Sequence, residues 1–559
     1  MRLPTRKQRP RKAQVTSLPA PTGGLVSNRN LAIARDPDLP PGAAVLENWF
    51  PTATGVVTRR GMRRWATLDV DTPVRALFTY ISGAQKQMFA ANDAAIYNIT
   101  TIPSPYAWIL GTENADEAIS PDVPGEVVFG ETSVTGYDVL TGTTSGDWVV
   151  VQFGTAGGNF LVGVNGVDDA FLYDGTTFDA TTITFPAESG LTTADLSYVW
   201  VYKNRLFFIQ KDSLDAWYLP VDSIGGELTK WPMGGVFPRG GVLLWGQAWS
   251  LDNSGSGGLS EQCVFTTTEG EVAAYQGLSP DPDQGWQKVG AYRIGRPMGK
   301  KGFIRAGGDL VIATTVGFVS LAQASRKDYA ALGQGAVSYP IEDDWALAQQ
   351  QRGQTDWRCQ VWAEGQMTLI APPTPASRSP IVYVANTNTG KWCTFTGWDI
   401  TAMVQFNGGI YFGSSDGAVR QGWVTGSDEG APYVCKSLPL FDGLNAPASV
   451  KVMKMGRAVT RASYEAKLQL SGHSNFAVNF PAPPSQQAIP TGNEWDKGVW
   501  GESVWDAERT SIVSGDWVSL SNLGHDVSVG AQVTSGALVP IDVELIRIDV
   551  TYSNGDAGT

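Results

Sequence analysis

Four cysteines and two histidines are all that 559 residues contain of the side chains most often used for metals and nucleophilic catalysis. Cys263, Cys359, Cys393 and Cys435 are widely spaced and form no CxxC pair. That spacing argues against a zinc site, a redox motif or a dense disulfide framework; single bridges stay open, and buried free thiols are the simplest expectation. His473 and His525 both fall late in the chain, and no G-x-S-x-G elbow accompanies them, so a histidine-based triad has no support. No segment approaches the ~18 consecutive apolar residues of a membrane helix. Charge is also scarce, at 17% of residues, and it leans acidic: 41 Lys and Arg against 54 Asp and Glu, a formal net charge of −13. Such a surface does not hold DNA phosphates, because that affinity comes from lysine and arginine displacing counterions.

The exception is the first stretch, "MRLPTRKQRPRKAQ", which has Arg2, Arg6, Lys7, Arg9, Arg11 and Lys12 and no acid. Residues 1–22 are read as a basic flexible arm available to a partner. No apolar run of about seven residues follows it, as a signal peptide requires. The chain is expected to be made in the cytoplasm and to stay soluble.

What the sequence has in abundance is turn formers and aromatics: 64 glycines, 33 prolines and 20 tryptophans. Residues 23–73 are rich in proline and glycine and read as extended chain with a short strand near Leu31–Ala34. From Val74 a unit recurs, a strand, a tight turn and a second strand. It appears as "KQMFAANDAAIYNI" (86–99), "GNFLVGVNGVDDAFLYDG" (158–175), "NRLFFIQKDSLDAWYL" (204–219), "QCVFTTTEGEVAAYQG" (262–277), "GDLVIATTVGFVSLAQ" (308–323) and "GGIYFGSSDGAVRQG" (408–422), with a longer version at 367–397. One such hairpin cannot bury its apolar face alone. Repeated at a period of roughly 45–70 residues, it predicts an all-β, β-propeller-like array over 74–430. An acidic insertion, 101–147, has no Lys or Arg and is expected to protrude between the first two blades. A short helix is expected over 341–352, with Ile341, Trp345 and Leu347 on one face. Residues 431–559 change texture. Long alternating strands at 449–473 and 539–553 predict a β-sandwich-like domain. Between them, Trp495, Trp500 and Trp505 recur at a five-residue step that fits neither a helix nor a strand face, and they are read as plugs between loops or subunits.

Candidate chemistry is thin. "GRPMGKKG" (295–302) has three residues between its first two glycines where a P-loop needs four, and Lys301 where Ser or Thr must hold magnesium. Its lysines are read as belonging to a solvated loop. The acidic turns "SPDPDQG" (279–285) and "ARDPDLPPG" match no calcium-loop spacing. Asp343 and Asp344 are adjacent on the expected helix and so point apart, although a glycosidase pair elsewhere stays conceivable in a propeller. No enzyme activity, cofactor or metal is expected.

The remaining feature is "LENWFPTATGVVTRRGMRRWATL" (46–68), with Arg59, Arg60, Arg63 and Arg64. In an acidic chain, ahead of the first blade, these arginines are read as a structural strand. Their guanidinium groups would pair with carboxylates of the propeller or of an adjoining subunit. The same stretch resembles the N-terminal segment of the tail nozzle (tail tubular protein B) family of short-tailed bacteriophages. Gly23-Gly24, Asn48-Trp49-Phe50-Pro51, Gly55 and Arg59-Arg60-Gly61 match that family's pattern in order. The blades at 198–226 and 386–419 also look like those of the family, whereas the 101–147 insertion has no counterpart. The resemblance implies a virion structural protein: a hexameric ring on the tail, below the portal and adaptor, with tail fibres as further partners. Double-stranded DNA would pass transiently through its acidic channel. Trp49, Phe50, Arg59, Arg60, Arg63, Arg64, Trp495, Trp500 and Trp505 are the expected subunit or domain interface. A receptor- or glycan-binding tail component and a propeller glycosidase are the alternatives.

Overall fold

The computed structural model describes residues 13–27, 40–68, 72–100, 134–135, 137–251, 260–281, 283–462, 466–487 and 511–557. The expected strand near Leu31–Ala34 and most of the 101–147 insertion lie outside them. The fold is all-β, a β-propeller-like array of blades with a β-sandwich. Two compact units emerge. Unit 1 gathers 1–63, 297–398 and 422–559, and unit 2 gathers 64–296 and 399–421.

Unit 2 is a series of antiparallel meanders. The first runs Ala76–Ser82, Gln85–Ala91, Ala95–Asn98 and Tyr137–Thr141. Three more follow, beginning at Val149–Thr155, Leu196–Tyr202 and Leu243–Leu251, each with four strands. A further sheet contains Ala402–Phe406 and Gly409–Gly413, extended by 418–421 and 64–67. The first strand of each meander packs against the first strand of the next, and Ala402–Phe406 packs against Ala76–Ser82. The hairpins read from the sequence within 74–296 are the middle strands of these blades. The end of the 101–147 stretch departs from expectation: Tyr137–Thr141 does not protrude but pairs with Ala95–Asn98 as the first blade's fourth strand.

Aromatic side chains fill the unit. Phe207 is fully buried, stacked on Trp200 (5.4 Å) and Tyr218 (5.6 Å), with Phe265 and Trp286 beyond them. Large rings suit blades because two flat sheets diverge outwards, and long side chains are needed to keep the space between them at interior packing density.

Unit 1 holds a three-stranded sheet (Phe303–Ala306, Asp309–Thr314, Gly317–Ser320) and then the helix Glu342–Arg352. Trp345 is buried and donates its indole N–H to the Thr314 carbonyl at 3.0 Å, and Gln349 reaches the Thr315 carbonyl at 3.1 Å. Leu347, by contrast, is 47% exposed, so the inward face is Ile341, Trp345, Ala348 and Gln349. Spacing of four and three residues sets that face, and Leu347 falls off it. Next comes the meander Arg358–Trp362, Met367–Ala371, Ile381–Asn386 and Trp392–Thr396.

The sandwich of unit 1 includes more of the chain than residues 431–559. One sheet centres on two 14-residue strands, Ser449–Ala462 and Glu544–Ala557, which pair antiparallel. Gln14–Pro19 adds to Glu544–Ala557, so this part of the expected flexible arm is a strand. Val56–Thr58 and Trp49–Pro51 extend the same sheet. The other sheet runs through Gly42–Glu47, Tyr433–Pro439, Val527–Ser535 and Gln469–Ser474. At Glu47↔Thr394, Gly42–Glu47 also joins the Arg358–Thr396 meander, so a single strand ties blade to sandwich inside the unit. The segment 23–73 is therefore not merely extended chain but a component of both sheets.

Phe207→Ala should cost about 3–5 kcal/mol, the range for a buried aromatic whose cavity cannot collapse. Denaturant titration followed by tryptophan fluorescence reads it directly, and a loss below about 1 kcal/mol would show that the blade interface tolerates the void.

Candidate functional site

The arginine stretch places one guanidinium where no water reaches it. Arg59 is 1% exposed. Its Nε–H donates to Asn48 Oδ1 at 2.7 Å. Nη1 donates to Asp428 Oδ1 at 2.9 Å and to the Arg60 carbonyl at 3.1 Å. Nη2 donates to Asp428 Oδ2 at 2.6 Å and to the Thr396 carbonyl at 2.9 Å. A guanidinium has five N–H donors, and all five are met. The fork-to-fork pair with Asp428 is the strong geometry for arginine and a carboxylate. The Tyr433 ring lies under the guanidinium, 3.7 Å from its central carbon, and Trp398 lies at 5.5 Å. Burial alone would pull the Arg59 pKa down. The hydrogen bond and charge of Asp428 outweigh it and hold it above its ordinary value.

Local sequence builds this joint. Asn48 sits at φ 58°, a left-handed conformation that asparagine tolerates better than most residues. From there its side-chain amide donates to Thr396 Oγ1 (2.8 Å) and the Val434 carbonyl (2.7 Å). The Tyr433 hydroxyl donates to the Arg59 carbonyl at 2.6 Å. Gly61 is required by close approach, since a Cβ there would stand 2.0 Å from the Ser427 carbonyl oxygen. Burial pushes Cys435 up to about 12, with Arg59 pulling the other way.

The other predicted site residues separate. Trp49 is fully buried and Phe50 nearly so, with Phe50 edge-on to Trp423 at 6.2 Å. Trp49, Phe50 and Arg59 are thus joints inside unit 1 and offer no surface to another subunit. Arg60 is at the surface, bidentate to Asp542. Arg63 and Arg64 are half-buried, and the charge of Arg64 helps hold the Asp416 carboxyl below its usual range, after the Arg420 hydrogen bond. Trp495, Trp500 and Trp505 lie outside the described residues. Sequence reasoning misses Asn48, Thr396, Asp428, Tyr433 and Asp542 as the partners. The only signal that could flag one of them is asparagine ahead of an aromatic pair.

Other candidate chemistry does not converge. Asp343 lines a cavity of about 400 Å³ and Asp344 a different one of about 280 Å³, so the two carboxyls do not face one substrate. Asp281 is occupied by Tyr218, Ser279 and Arg205. Among the described residues no group of three or more His, Cys, Asp or Glu is placed to hold a metal. The four cysteines are free, three of them buried and Cys359 half-buried. Lys300 and Lys301 are half-buried rather than fully solvated. His473 is buried with its Nε2 at 2.9 Å from Ser471 Oγ, a spacing that suggests a nucleophile and base. The Asn479 backbone N–H approaches Nδ1 at 3.3 Å, however, where a triad places an orienting carboxylate, so the pair lacks the third member of a triad.

No family model matches the chain, and no curated protein matches it. Among solved structures it is similar to BBS1N in complex with ARL6DN, at 8% identity and a TM-score of 0.37, over 66% of this chain and 97% of that one. It is also similar to Sqt1 of Saccharomyces cerevisiae, at 10% identity and a TM-score of 0.35, over 64% and 98%. No function is read from likenesses at this level.

Arg59→Met leaves Asp428 charged and unpaired and should destabilise unit 1 by about 3–5 kcal/mol. Arg59→Met combined with Asp428→Leu should recover a large part of that in a double-mutant cycle. Additive losses would mean that the ion pair is not the unit of the joint. A second test uses pH. Burial lowers the His473 pKa, against the opposing pull of the Ala477 backbone. The unfolded chain therefore takes up the proton first, and the contribution is complete above the unfolded value of about 6.5 and is lost as pH falls from there through the lower folded value. His473→Gln should flatten the fall in stability below about pH 6.5, measured by denaturant midpoints. An unchanged slope would refute this.

Proposed function

We propose that the chain is a structural subunit of a bacteriophage tail nozzle, a ring of copies, six in the family it resembles, around the channel by which the genome leaves. The observation that carries this reading is that the residues matching the family pattern are those that build the Arg59 joint and its surroundings. Gly24 has φ 77° and passes 2.8 Å from the Trp392 backbone, as measured to a Cβ placed there. A Cβ on Gly55 would meet the Leu545 carbonyl oxygen at 2.6 Å. Asn48, Trp49, Phe50, Arg59 and Gly61 are buried in the same unit. A pattern whose members are needed for packing marks a shared scaffold rather than a shared reaction, which fits a structural role. The acidic balance also supports the reading. A wall that repels phosphate lets DNA slide, whereas a basic one would hold it through counterion release. Portal-proximal adaptor proteins above and tail fibres beside the ring are the partners this role implies.

Electron cryo-microscopy of the virions whose genome encodes the chain tests the proposal. The expected result is density for the chain as a ring on the tail axis, and absence from the axis or a non-ring arrangement overturns it. Reversing Arg59 and Arg60 to glutamate should abolish folding or incorporation. Particles that assemble normally and fail only in DNA release would instead make these arginines a DNA contact.

A further inference from the structure

We infer that residues 475–487 form an acid-released strap, latched to the sandwich by His473 and let go when that ring takes up a proton. The strap follows Gln469–Ser474 and is tied to Val527–Ser535, the strand that pairs with it. Thr534 Oγ1 donates to the Pro484 carbonyl at 2.7 Å, and the Gln487 N–H donates to the Thr534 carbonyl at 2.9 Å. His473 is the latch at the near end, only 2% exposed. The Asn479 N–H approaches its Nδ1 at 3.3 Å, and the Phe480 ring packs edge-on to it at 4.9 Å. Gly530 leaves room for both rings, since a Cβ there would stand 2.8 Å from Phe480 and 2.9 Å from His473 Nε2. Little else holds this part down. Residues 475–479 are all exposed, with Phe476 at 45% and Val478 at 43%, and so are most of 481–487. Asn475 and Phe476 are both left-handed, at φ 51° and 62°, a strained conformation for a bulky aromatic. A segment with few buried contacts and strain of its own opens at far lower cost than the whole fold. One titrating group can therefore decide whether it stays closed.

The elements around the latch have no means of balancing a charge on it. Gln469–Ser474, Val518–Gly524, Val527–Ser535 and the strap itself contain no Lys, Arg, Asp or Glu. On the adjoining loops, Asp442 and Asp526 act on Lys451, whose Nζ donates to the Ala446 and His525 carbonyls at 2.6 Å each. His525 is exposed and meets the strap through its backbone N–H, 2.9 Å from Asn475 Oδ1. A proton on Nδ1 of His473 turns an acceptor into a donor, so the Asn479 N–H then faces another N–H. It also leaves a buried cation without a counterion. The Ala477 backbone favours the protonated ring, but burial outweighs it and holds the group below its ordinary value. Opening restores the ordinary value of about 6.5, so the open form binds the proton better and gains population as pH falls below it. Release bares Phe480 and His473 while both sheets stay folded. The strap acts within one chain, so it stands or falls apart from the ring reading.

The test is hydrogen exchange of the full chain, read by mass spectrometry at pH 7.5 and 5.5 and corrected for intrinsic rates. Opening of 475–487 should rise by up to about tenfold at the lower pH, while Ser449–Ala462 and Glu544–Ala557 keep their protection. His473→Gln should remove the rise, and His525→Gln should leave it. The strap is overturned by no rise in the wild type, by a rise that persists in His473→Gln, or by equal loss of protection in the two long strands. Should His473→Gln prove open at both pH values, the wild-type titration decides. The chain has two histidines, and NMR of labelled histidine, with His525→Gln for assignment, gives the midpoint of each. A His473 midpoint below about 6.5 supports the latch, and one at or above it overturns the latch.

Discussion

A guanidinium without water sets the terms for unit 1. Removing a cation from solvent costs several kcal/mol even after relaxation, and only excellent geometry offsets it. Arg59 reaches that geometry with acceptors from four places in the sequence: Asn48, Arg60, Thr396 and Asp428. Each acceptor has to be held to within a few tenths of an ångström, so each backbone around it is fixed in turn. The end of the Trp392–Thr396 strand, the turn bearing Asp428, and the start of Tyr433–Pro439 are all tied to one side chain. A buried pair of this kind adds little to stability over a well-packed apolar core. Its effect is on which segments meet.

The same constraint explains why the N-terminal segment is threaded through the sheets instead of lying over them. Gly42–Glu47 pairs on one side with Tyr433–Pro439 and on the other touches Thr394, which brings Asn48 against Thr396. Backbones then pass so close that side chains are excluded. Gly24, Gly55 and Gly61 sit where a Cβ would collide with backbone atoms. Glycine here serves close approach more than flexibility. A sandwich that borrows strands from the start of the chain also has its two ends in one sheet, Gln14–Pro19 beside Glu544–Ala557.

Some of this is legible in the amino-acid sequence. Hairpin signals such as Glu269-Gly270 and Asp416-Gly417 are local, because the turn residue and the alternation that flank it lie within a dozen positions. They locate the middle strands of the blades. The outer strands carry weaker signals: Tyr137–Thr141 follows a long acidic stretch, and its pairing with Ala95–Asn98 has no local cue. Long-range pairings are invisible for the same reason. Nothing near Arg59 announces Asp428, and nothing near Val15 announces Thr551, since register between distant segments is set by packing. The helix shows a finer limit. The bulk of Trp345 places it inward, but Leu347 does not join it, two residues on, where the helix has already turned away.

Accessibility, more than composition, decides what an arginine cluster can do. Arg59 and Arg60 are adjacent and chemically identical, yet one is sealed in an aromatic and carboxylate cage while the side chain of the other is 41% exposed. A phosphate approaching Arg60 meets Asp542 first, already bidentate on the guanidinium and 46% exposed itself. Displacing it would trade one anion for another, without the net counterion release that drives DNA binding. A pair that looks cationic in sequence is therefore close to neutral once the fold has brought Asp428 and Asp542 to it. The positive charge of this pair is neutralised by the protein's own carboxylates, and it adds little to the acidic balance of the chain, 41 Lys and Arg against 54 Asp and Glu.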